Sequence, residues 1–184
     1  MIIRVFDLLL AGFGLVAAMP LLMVVLLFGW FDTGSPLFRQ ERVGRSQVPF
    51  TLIKFRTMSV NTKSVATHLA DKDAITRFGA FLRGSKIDEL PQLWNVFTGK
   101  MSMVGPRPNL PNQAELISER QRLGIYEWRP GITGLAQIEG IDMSTPQQLA
   151  LTDKKMLDQL SLTFYFKIIF LTALGRGMGD RVGP

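Results

Sequence analysis

The sequence contains no cysteine and only one histidine, His68. Without cysteine the chain has no disulfide bond and no metal site built on thiolates, and its compartment stays open. His68 has no second metal ligand or nucleophile at a recognisable spacing. We therefore interpret it as a loop residue rather than a catalytic base. The chain also lacks internal repeats, low-complexity tracts and any sign of a second globular domain.

The chain is rich in apolar residues and carries an excess of basic residues. Its 184 residues allow one domain of ordinary size, 47% of them are hydrophobic, and the formal net charge is +6. The mean hydropathy is +0.18 and the pI is about 10.0. This combination points to an anionic membrane surface or to phosphate-rich ligands. Nucleic acid fits the charge, but no nucleic-acid module is recognisable, so we predict no nucleic-acid partner.

The longest apolar run is Leu8–Phe31, which has no charged residue and is long enough to cross a bilayer. Pro20 divides it into parts of 12 and 11 residues. Arginines flank the run on both sides, Arg4 before it and Arg39 after it, which indicates that both ends are cytoplasmic. We predict a re-entrant helix hairpin broken at Pro20. A single kinked span is the alternative, because spanning helices tolerate proline.

The remaining chain predicts an α-rich α+β domain with interfacial amphipathic helices. We divide the chain into a membrane-embedded part, residues 1–32, and a catalytic domain on the cytoplasmic face, residues 33–184. Leu37–Val43 alternates too poorly to predict a strand, and Arg129–Gly134 is expected to be a loop. Strands are predicted at Pro49–Phe55 and Leu135–Ile138. Helices are predicted at Asp73–Leu82, Leu90–Thr98, Gln113–Leu123, Gln147–Leu160 and Leu162–Leu174. Asp73 is the predicted N-cap of the first of these helices.

Two adjacent carboxylates, Asp88 and Glu89, precede the predicted helix Leu90–Thr98. One carboxylate there could attack phosphorus as a nucleophile, and its neighbour could hold a hard divalent cation that bridges phosphates. Arg83 and Arg107 could bind such phosphates through bidentate hydrogen bonds.

A purely structural interpretation stands beside this one. Ser85 and Asp88 have the spacing of a loose capping box, and acidic residues are common before helices for that reason alone. The spacing of these residues does not by itself decide between the two interpretations.

Four motifs in one order resemble the bacterial sugar transferase family, the monotopic polyprenyl-phosphate phosphoglycosyl transferases. They are Lys54-Phe55-Arg56-Thr57-Met58, Asp88-Glu89-Leu90-Pro91-Gln92, Gly105-Pro106-Arg107-Pro108 and Arg129-Pro130-Gly131-Ile132-Thr133-Gly134. The resemblance covers nearly the whole chain. Gly140-Ile141-Asp142 departs from the commoner family pattern, which bears on sugar specificity more than on chemistry.

The resemblance implies transfer of a sugar-1-phosphate from a UDP-sugar to polyprenyl (undecaprenyl) phosphate, with release of UMP. This is the initiating step of bacterial surface glycoconjugate synthesis. It implies that Asp88 is the nucleophile that forms a covalent phosphosugar intermediate, and that Glu89 holds Mg²⁺. Arg83 and Arg107 would bind phosphate, with Lys54 and Arg56 as weaker candidates.

The implied location is the bacterial inner membrane, where membrane lipids are further partners. A homodimer stays open, as do the sugar and the polyprenyl length. The alternative from another class is a non-catalytic membrane-anchored scaffold that binds lipid or nucleotide, with the carboxylates serving as a helix cap.

Overall fold

A computed structural model describes residues 2–60, 62 and 72–177 of the chain. Within these residues the protein is rich in helix and has two small sheets. His68 lies outside the described residues. The helices are α1 Ile2–Thr33, α2 Arg77–Gly84, α3 Gln92–Phe97, α4 Ala114–Arg122, α5 Leu135–Ile138, α6 Pro146–Asp158 and α7 Leu162–Ala173. The strands are β1 Leu37–Val43, β2 Pro49–Phe55, β3 Ser102–Val104 and β4 Gly131–Thr133.

The N-terminal helix α1 runs through Pro20 as one element of 32 residues. By length and composition it could cross a membrane. The break at Pro20 is not confirmed, because helix continues on both sides of the proline. Both halves of α1 contact the rest of the protein. Ala11 packs with Leu93 and Val96, and Val25 packs with Phe55 and Leu82.

Strands β1 and β2 form an antiparallel hairpin in which Leu37 pairs with Phe55 and Val43 with Pro49. The prediction for Pro49–Phe55 is confirmed. No strand was expected at β1, because its buried positions include polar Gln40 and Arg42. Arg42 donates through Nη2 to Gln40 Oε1 at 2.5 Å and through Nη1 to the Pro108 carbonyl at 2.9 Å. Because hydrogen-bonded polar side chains occupy buried positions of β1, the strand lacks the alternation of apolar and polar residues that predicts a strand.

Strands β3 and β4 pair in parallel, Ser102 with Gly131 and Val104 with Thr133. The backbones cross closely just beyond this pair. A Cβ atom on Gly131 would lie 2.1 Å from the Gly105 backbone nitrogen, so only glycine fits there. This crossing brings the Gly105–Pro108 motif beside the Arg129–Gly134 motif.

Two predictions for this region were wrong. Gly131–Thr133 is a strand within the expected loop, and Leu135–Ile138 is a short helix rather than a strand. Gly134 ends the strand, and its carbonyl accepts the Ile138 amide at 3.2 Å, which closes a helical turn. A four-residue apolar run does not by itself separate helix from strand.

The remaining helices lie where they were predicted, except that α2 begins later than expected. The helices expected at Gln113–Leu123, Gln147–Leu160 and Leu162–Leu174 are confirmed as α4, α6 and α7. The expected N-cap Asp73 was wrong, since it lies in a separate 3-10 turn. Helix α2 begins after Thr76, whose hydroxyl oxygen accepts the Gly79 amide at 2.8 Å. The main core lies between α4, α6 and α7 and includes Leu116, Met156 and Ile168.

A buried carboxylate, Asp7, ties α1 to this core. Its Oδ1 accepts from the Ser102 hydroxyl at 2.9 Å, the Met103 amide at 2.8 Å and the Tyr165 hydroxyl at 2.8 Å. Arg4 lies 3.8 Å from its other oxygen. Burial raises the pKa of Tyr165 above its usual value, and the charge of Asp7 adds to the rise. One side chain thus joins α1, β3 and α7.

Replacement of Asp7 should destabilise the fold more than loss of any one of its partners. Asp7→Ala leaves three donors without their acceptor, two of them in buried bonds, and should cost about 3–5 kcal/mol, whereas Tyr165→Phe removes one bond and should cost about 1 kcal/mol. Thermal unfolding in a fixed detergent measures both. Arg122→Ala, which breaks an exposed pair with Glu119, is the control and should change little. Equal shifts for the Asp7 and Tyr165 variants would contradict a shared anchor.

Candidate active site

The two carboxylates lie in a 3-10 turn, Ile87–Glu89, between α2 and α3. Lys86 enters the turn with a left-handed φ of 57°, and α3 begins at Gln92. The predicted position before a short helix is therefore confirmed. The N-cap residues of the turn and of α3, Lys86 and Pro91, make no side-chain capping bond. Ser85 instead donates back to the Phe81 carbonyl at 2.9 Å.

Asp88 and Glu89 differ in their surroundings. Asp88 is buried, with 5% of its surface exposed. The Glu89 side chain is 14% exposed and lines a cavity. Arg107 Nη2 lies 3.5 Å from Glu89 Oε1, a long ion pair that leaves the carboxylate able to take further ligands. The structure thus brings Arg107 to the carboxylate turn, as the phosphate-binding prediction requires.

Arg83 stands at the end of α2, which contacts the carboxylate turn. Its Nε donates to the Thr57 hydroxyl at 2.8 Å. Its Nη1 is buried and has no hydrogen-bond partner. Because buried guanidinium nitrogens normally find an acceptor, this orphaned donor fits a site for an anionic ligand.

Lys54 and Arg56 come from the same strand end but have different environments. Lys54 is buried in β2, which contacts the carboxylate turn. Arg56 donates through Nε to the Ser35 carbonyl at 2.8 Å and lies 5.6 Å above the Phe38 ring. Its Nη2 reaches the Leu37 carbonyl at 3.4 Å. The Arg56 guanidinium therefore binds the segment that connects α1 to β1.

Arg107 is held by a buried network that the sequence pattern does not reveal. Arg120, 2% exposed, donates to the Arg107 carbonyl at 2.8 Å and to Asn109 Oδ1 at 3.1 Å. Its other nitrogens donate to Asp153 Oδ2 at 2.6 and 3.1 Å. Burial raises the pKa of Asp153, and Arg120 opposes that rise. Arg120 thereby fixes the backbone that carries Arg107, and its partner lies too far along the chain to be found from spacing.

A cavity opens beside Glu89. It is lined by Lys86, Glu89, Thr133, Gln137, Thr172 and Arg176, among others. Lys86 Nζ donates to the Gly177 carbonyl at 2.7 Å and so holds the end of the described chain against the turn. Gln137 and Thr172 were not predicted as site residues. Gln137 lies three residues after the Arg129–Gly134 motif, and this proximity is the only feature of the sequence that could have indicated it as a site residue.

The carboxylates of the turn could bind Mg²⁺ only together with ligands from outside the protein. Across residues 2–60, 62 and 72–177, no group of three or more His, Cys, Asp or Glu side chains could hold a metal. Magnesium is commonly bound through one or two carboxylates together with substrate phosphates and water. Glu89, partly exposed and weakly paired, fits that arrangement.

Comparisons with known proteins place the chain in a family. A model of the family described as bacterial sugar transferase matches residues 1–176. An uncharacterized sugar transferase of Bacillus subtilis is 39% identical over 170 residues, which is 92% of this chain and 84% of that protein. A UDP-glucose:undecaprenyl-phosphate glucose-1-phosphate transferase of Caulobacter vibrioides is 41% identical over 143 residues, 75% of this chain and 54% of that protein.

A UDP-galactose-lipid carrier transferase of Erwinia amylovora is 38% identical over 155 residues, 74% of this chain and 32% of that protein. The chain thus spans most of the Bacillus relative, about half of the Caulobacter relative and about a third of the Erwinia relative. The family match contains all four motifs and both carboxylates of the turn. The protein therefore belongs to the bacterial sugar transferase family and is a transferase.

Proposed function

We propose that the protein transfers a sugar-1-phosphate from a UDP-sugar to polyprenyl (undecaprenyl) phosphate and releases UMP. This reaction would initiate the synthesis of a bacterial surface glycoconjugate. The observation that carries the proposal is the Asp88–Glu89 turn, with Arg107 3.5 Å from Glu89 and the unpartnered Arg83 Nη1 on the adjoining helix. Two named relatives act on UDP-glucose with undecaprenyl phosphate and on UDP-galactose with a lipid carrier.

The chemistry would proceed through two displacements at one phosphorus. A carboxylate oxygen of Asp88 attacks the phosphorus that bears the sugar, and the bond to the UMP oxygen breaks. An oxygen of the polyprenyl phosphate then attacks the same phosphorus. The acyl phosphate bond breaks, the Asp88 carboxylate is restored, and the lipid carries a diphosphate-linked sugar. No redox partner is needed.

The surroundings of Asp88 suit a reactive intermediate. An acyl phosphate is open to hydrolysis, and exclusion of water from a site suppresses that side reaction. Asp88 is buried, so bulk water has little access to it. Arg83 and Arg107 would bind phosphate oxygens, and buried Lys54 adds positive charge on the β2 side. Mg²⁺ held through Glu89 would neutralise charge on the diphosphate.

Placement of α1 supports a re-entrant arrangement on the cytoplasmic face of the inner membrane. A straight crossing would carry one half of α1 away from the catalytic domain. Here Asp7 and Ala11, near its start, and Val25, near its end, all contact that domain. Between these contacts α1 exposes large apolar side chains such as Phe13. Both ends on one side would keep the nucleophile near the lipid phosphate at the interface.

The scaffold alternative is less favoured, because the family is one of transferases. A homodimer stays a prediction.

Replacement of Asp88 should abolish both the covalent intermediate and turnover. The protein would be incubated with Mg²⁺ and UDP-glucose, UDP-galactose or UDP-N-acetylgalactosamine without lipid, and its peptides analysed by mass spectrometry. A phosphosugar mass on the Asp88 peptide is expected, and Asp88→Asn should lack it while unfolding at an unchanged temperature. UMP release by Asp88→Asn at a rate near that of the unaltered chain would refute the nucleophile assignment.

Arg83 and Arg56 form a matched pair for testing phosphate binding. Arg83→Met should raise the KM for the UDP-sugar by about tenfold or more, since a charge-assisted bond contributes about 1.5–3 kcal/mol. Arg56→Met should lower thermal stability and leave KM almost unchanged, because its donors bind backbone carbonyls. Steady-state kinetics and thermal unfolding separate the two. The same change in KM for both variants would contradict a phosphate-binding role that belongs to Arg83 and not to Arg56.

The absence of native cysteine makes the membrane arrangement directly testable. Single cysteines at Ile2 and Val48, both exposed, would be treated with a membrane-impermeant maleimide in intact and permeabilised spheroplasts. The re-entrant arrangement predicts that both react only after permeabilisation. Labelling of the Ile2→Cys variant in intact spheroplasts would instead indicate a single span.

A further inference from the structure

Two arginines from distant parts of the chain meet at the end of α3, beside the start of α1. Arg4 donates through Nη1 to the Val96 carbonyl at 2.8 Å and through Nη2 to the Phe97 carbonyl at 3.2 Å. Arg129 donates through Nε to the Gly99 carbonyl at 2.9 Å. The carbonyl groups at a helix end attract cations, so this end brings two guanidinium groups close together.

Arg45 adds a third positive charge. It is exposed in the 3-10 turn Arg45–Gln47, which connects β1 to β2 and contacts the turn Ile125–Glu127 that precedes Arg129. Partial burial lowers the pKa of Arg129, and the charges of Arg4 and Arg45 lower it further. The three side chains, called the arginine cluster below, are therefore within electrostatic reach of one another.

The arginine cluster carries more positive charge than the protein neutralises. Asp7 opposes the fall in the pKa of Arg129, but its Oδ1 already accepts three hydrogen bonds and its Oδ2 lies 3.8 Å from Arg4. In the described part of the chain, neither Arg45 nor Arg129 forms an ion pair, and the Nη atoms of Arg129 make no hydrogen bond. An external anion would reduce this excess of charge.

Exposed aromatic side chains adjoin the arginine cluster. Trp94 and Phe97 on α3 stack with ring centroids 6.1 Å apart, and they are 51% and 45% exposed. A Cβ atom on Gly12 would lie 3.6 Å from the Phe97 ring, so this aromatic pair is continuous with the apolar surface of α1. Trp128, next to Arg129, is also exposed. Aromatic and basic side chains at the end of an apolar helix are typical of the headgroup region of a membrane.

A phospholipid headgroup matches both parts of this surface. Its phosphate accepts hydrogen bonds from guanidinium groups, and its acyl chains would lie along the exposed apolar side chains of α1. A nucleic acid or an acidic protein would neutralise the arginines but leave the aromatic side chains in water. A zwitterionic lipid carries its own amine, so the excess of positive charge favours a lipid with a net negative charge.

We infer that the arginine cluster, Arg4, Arg45 and Arg129, binds the phosphate headgroup of an anionic phospholipid. Trp94, Phe97 and Trp128 lie beside that headgroup, at the boundary with the acyl chains. The inference rests on the proposed placement of α1 in the membrane, and it goes beyond the transfer reaction. None of the three arginines has a role in the reaction steps proposed above. The bound lipid would set how the catalytic domain lies on the membrane surface.

The test measures the binding of single phospholipids to the full chain. The protein in one nonionic detergent is titrated with phosphatidylglycerol or phosphatidylcholine, and native mass spectrometry follows the first bound lipid. Phosphatidylglycerol should bind more tightly. Arg45→Gln should weaken its binding about fivefold and leave that of phosphatidylcholine unchanged, since a basic residue near an anionic lipid contributes about 1 kcal/mol. Arg45→Lys keeps the charge and should retain the affinity.

Arg122→Gln is the matched control. It removes the same charge from an exposed position on α4 and should change neither affinity. Because the Arg45 side chain makes no hydrogen bond in the described part of the chain, Arg45→Gln should unfold at the same temperature as the unaltered protein.

Four outcomes would overturn the inference. The first is equal affinity of the unaltered chain for the two lipids, and the second is the same loss in the Arg45→Gln and Arg122→Gln variants. Displacement of phosphatidylglycerol by inorganic phosphate would indicate a site for free anions. Displacement by polyprenyl phosphate would assign the site to the lipid acceptor. Turnover does not enter this measurement, so these outcomes leave the proposed transfer reaction standing, and UMP release tests that reaction separately.

Discussion

The hydrogen bonds to Asp7 are the constraint on which the rest of the structure depends. A carboxylate buried in an apolar helix is costly unless its oxygens are satisfied, and here three donors from two other elements satisfy one of them. Two of those donors lie at the start of β3. The strand that Asp7 holds is the one that pairs with β4 and leads into Arg107. The apolar helix and the Gly105–Pro108 motif are thus connected through a single side chain.

From β3 onward the site is assembled by backbone contact rather than by side-chain packing. Gly105 and Gly131 allow two motif loops to touch where any Cβ atom would collide. Arg120 then fixes the loop from the other side by donating to the Arg107 carbonyl. Its charge is offset by Asp153, so a buried ion pair serves here to position a loop. Breaking one partner of such a pair is usually far more costly than the pair's net contribution to stability.

The parts of this arrangement that the sequence could predict are those encoded locally. The carboxylate turn, β2 and three of the later helices follow from short-range signals such as proline, glycine and apolar spacing. The strand β1 was missed because two of its buried positions carry the polar residues Gln40 and Arg42, which hydrogen-bond to each other. The start of α2 was misplaced because Asp73 and Thr76 are both acceptable caps, and only the Gly79 amide shows which one acts.

Other features depend on partners far apart in the chain. Arg120 and Asp153 are 33 residues apart, and Asp7 and Tyr165 are 158 apart, so no local spacing links them. Thr133 Oγ1 also lies 2.7 Å from Thr172 Oγ1, and these two residues are 39 positions apart. The four motifs identify the family, because their charged residues, glycines and prolines stand at recognisable spacings. The contacts that position these charged residues depend on the fold, and they become visible only in three dimensions.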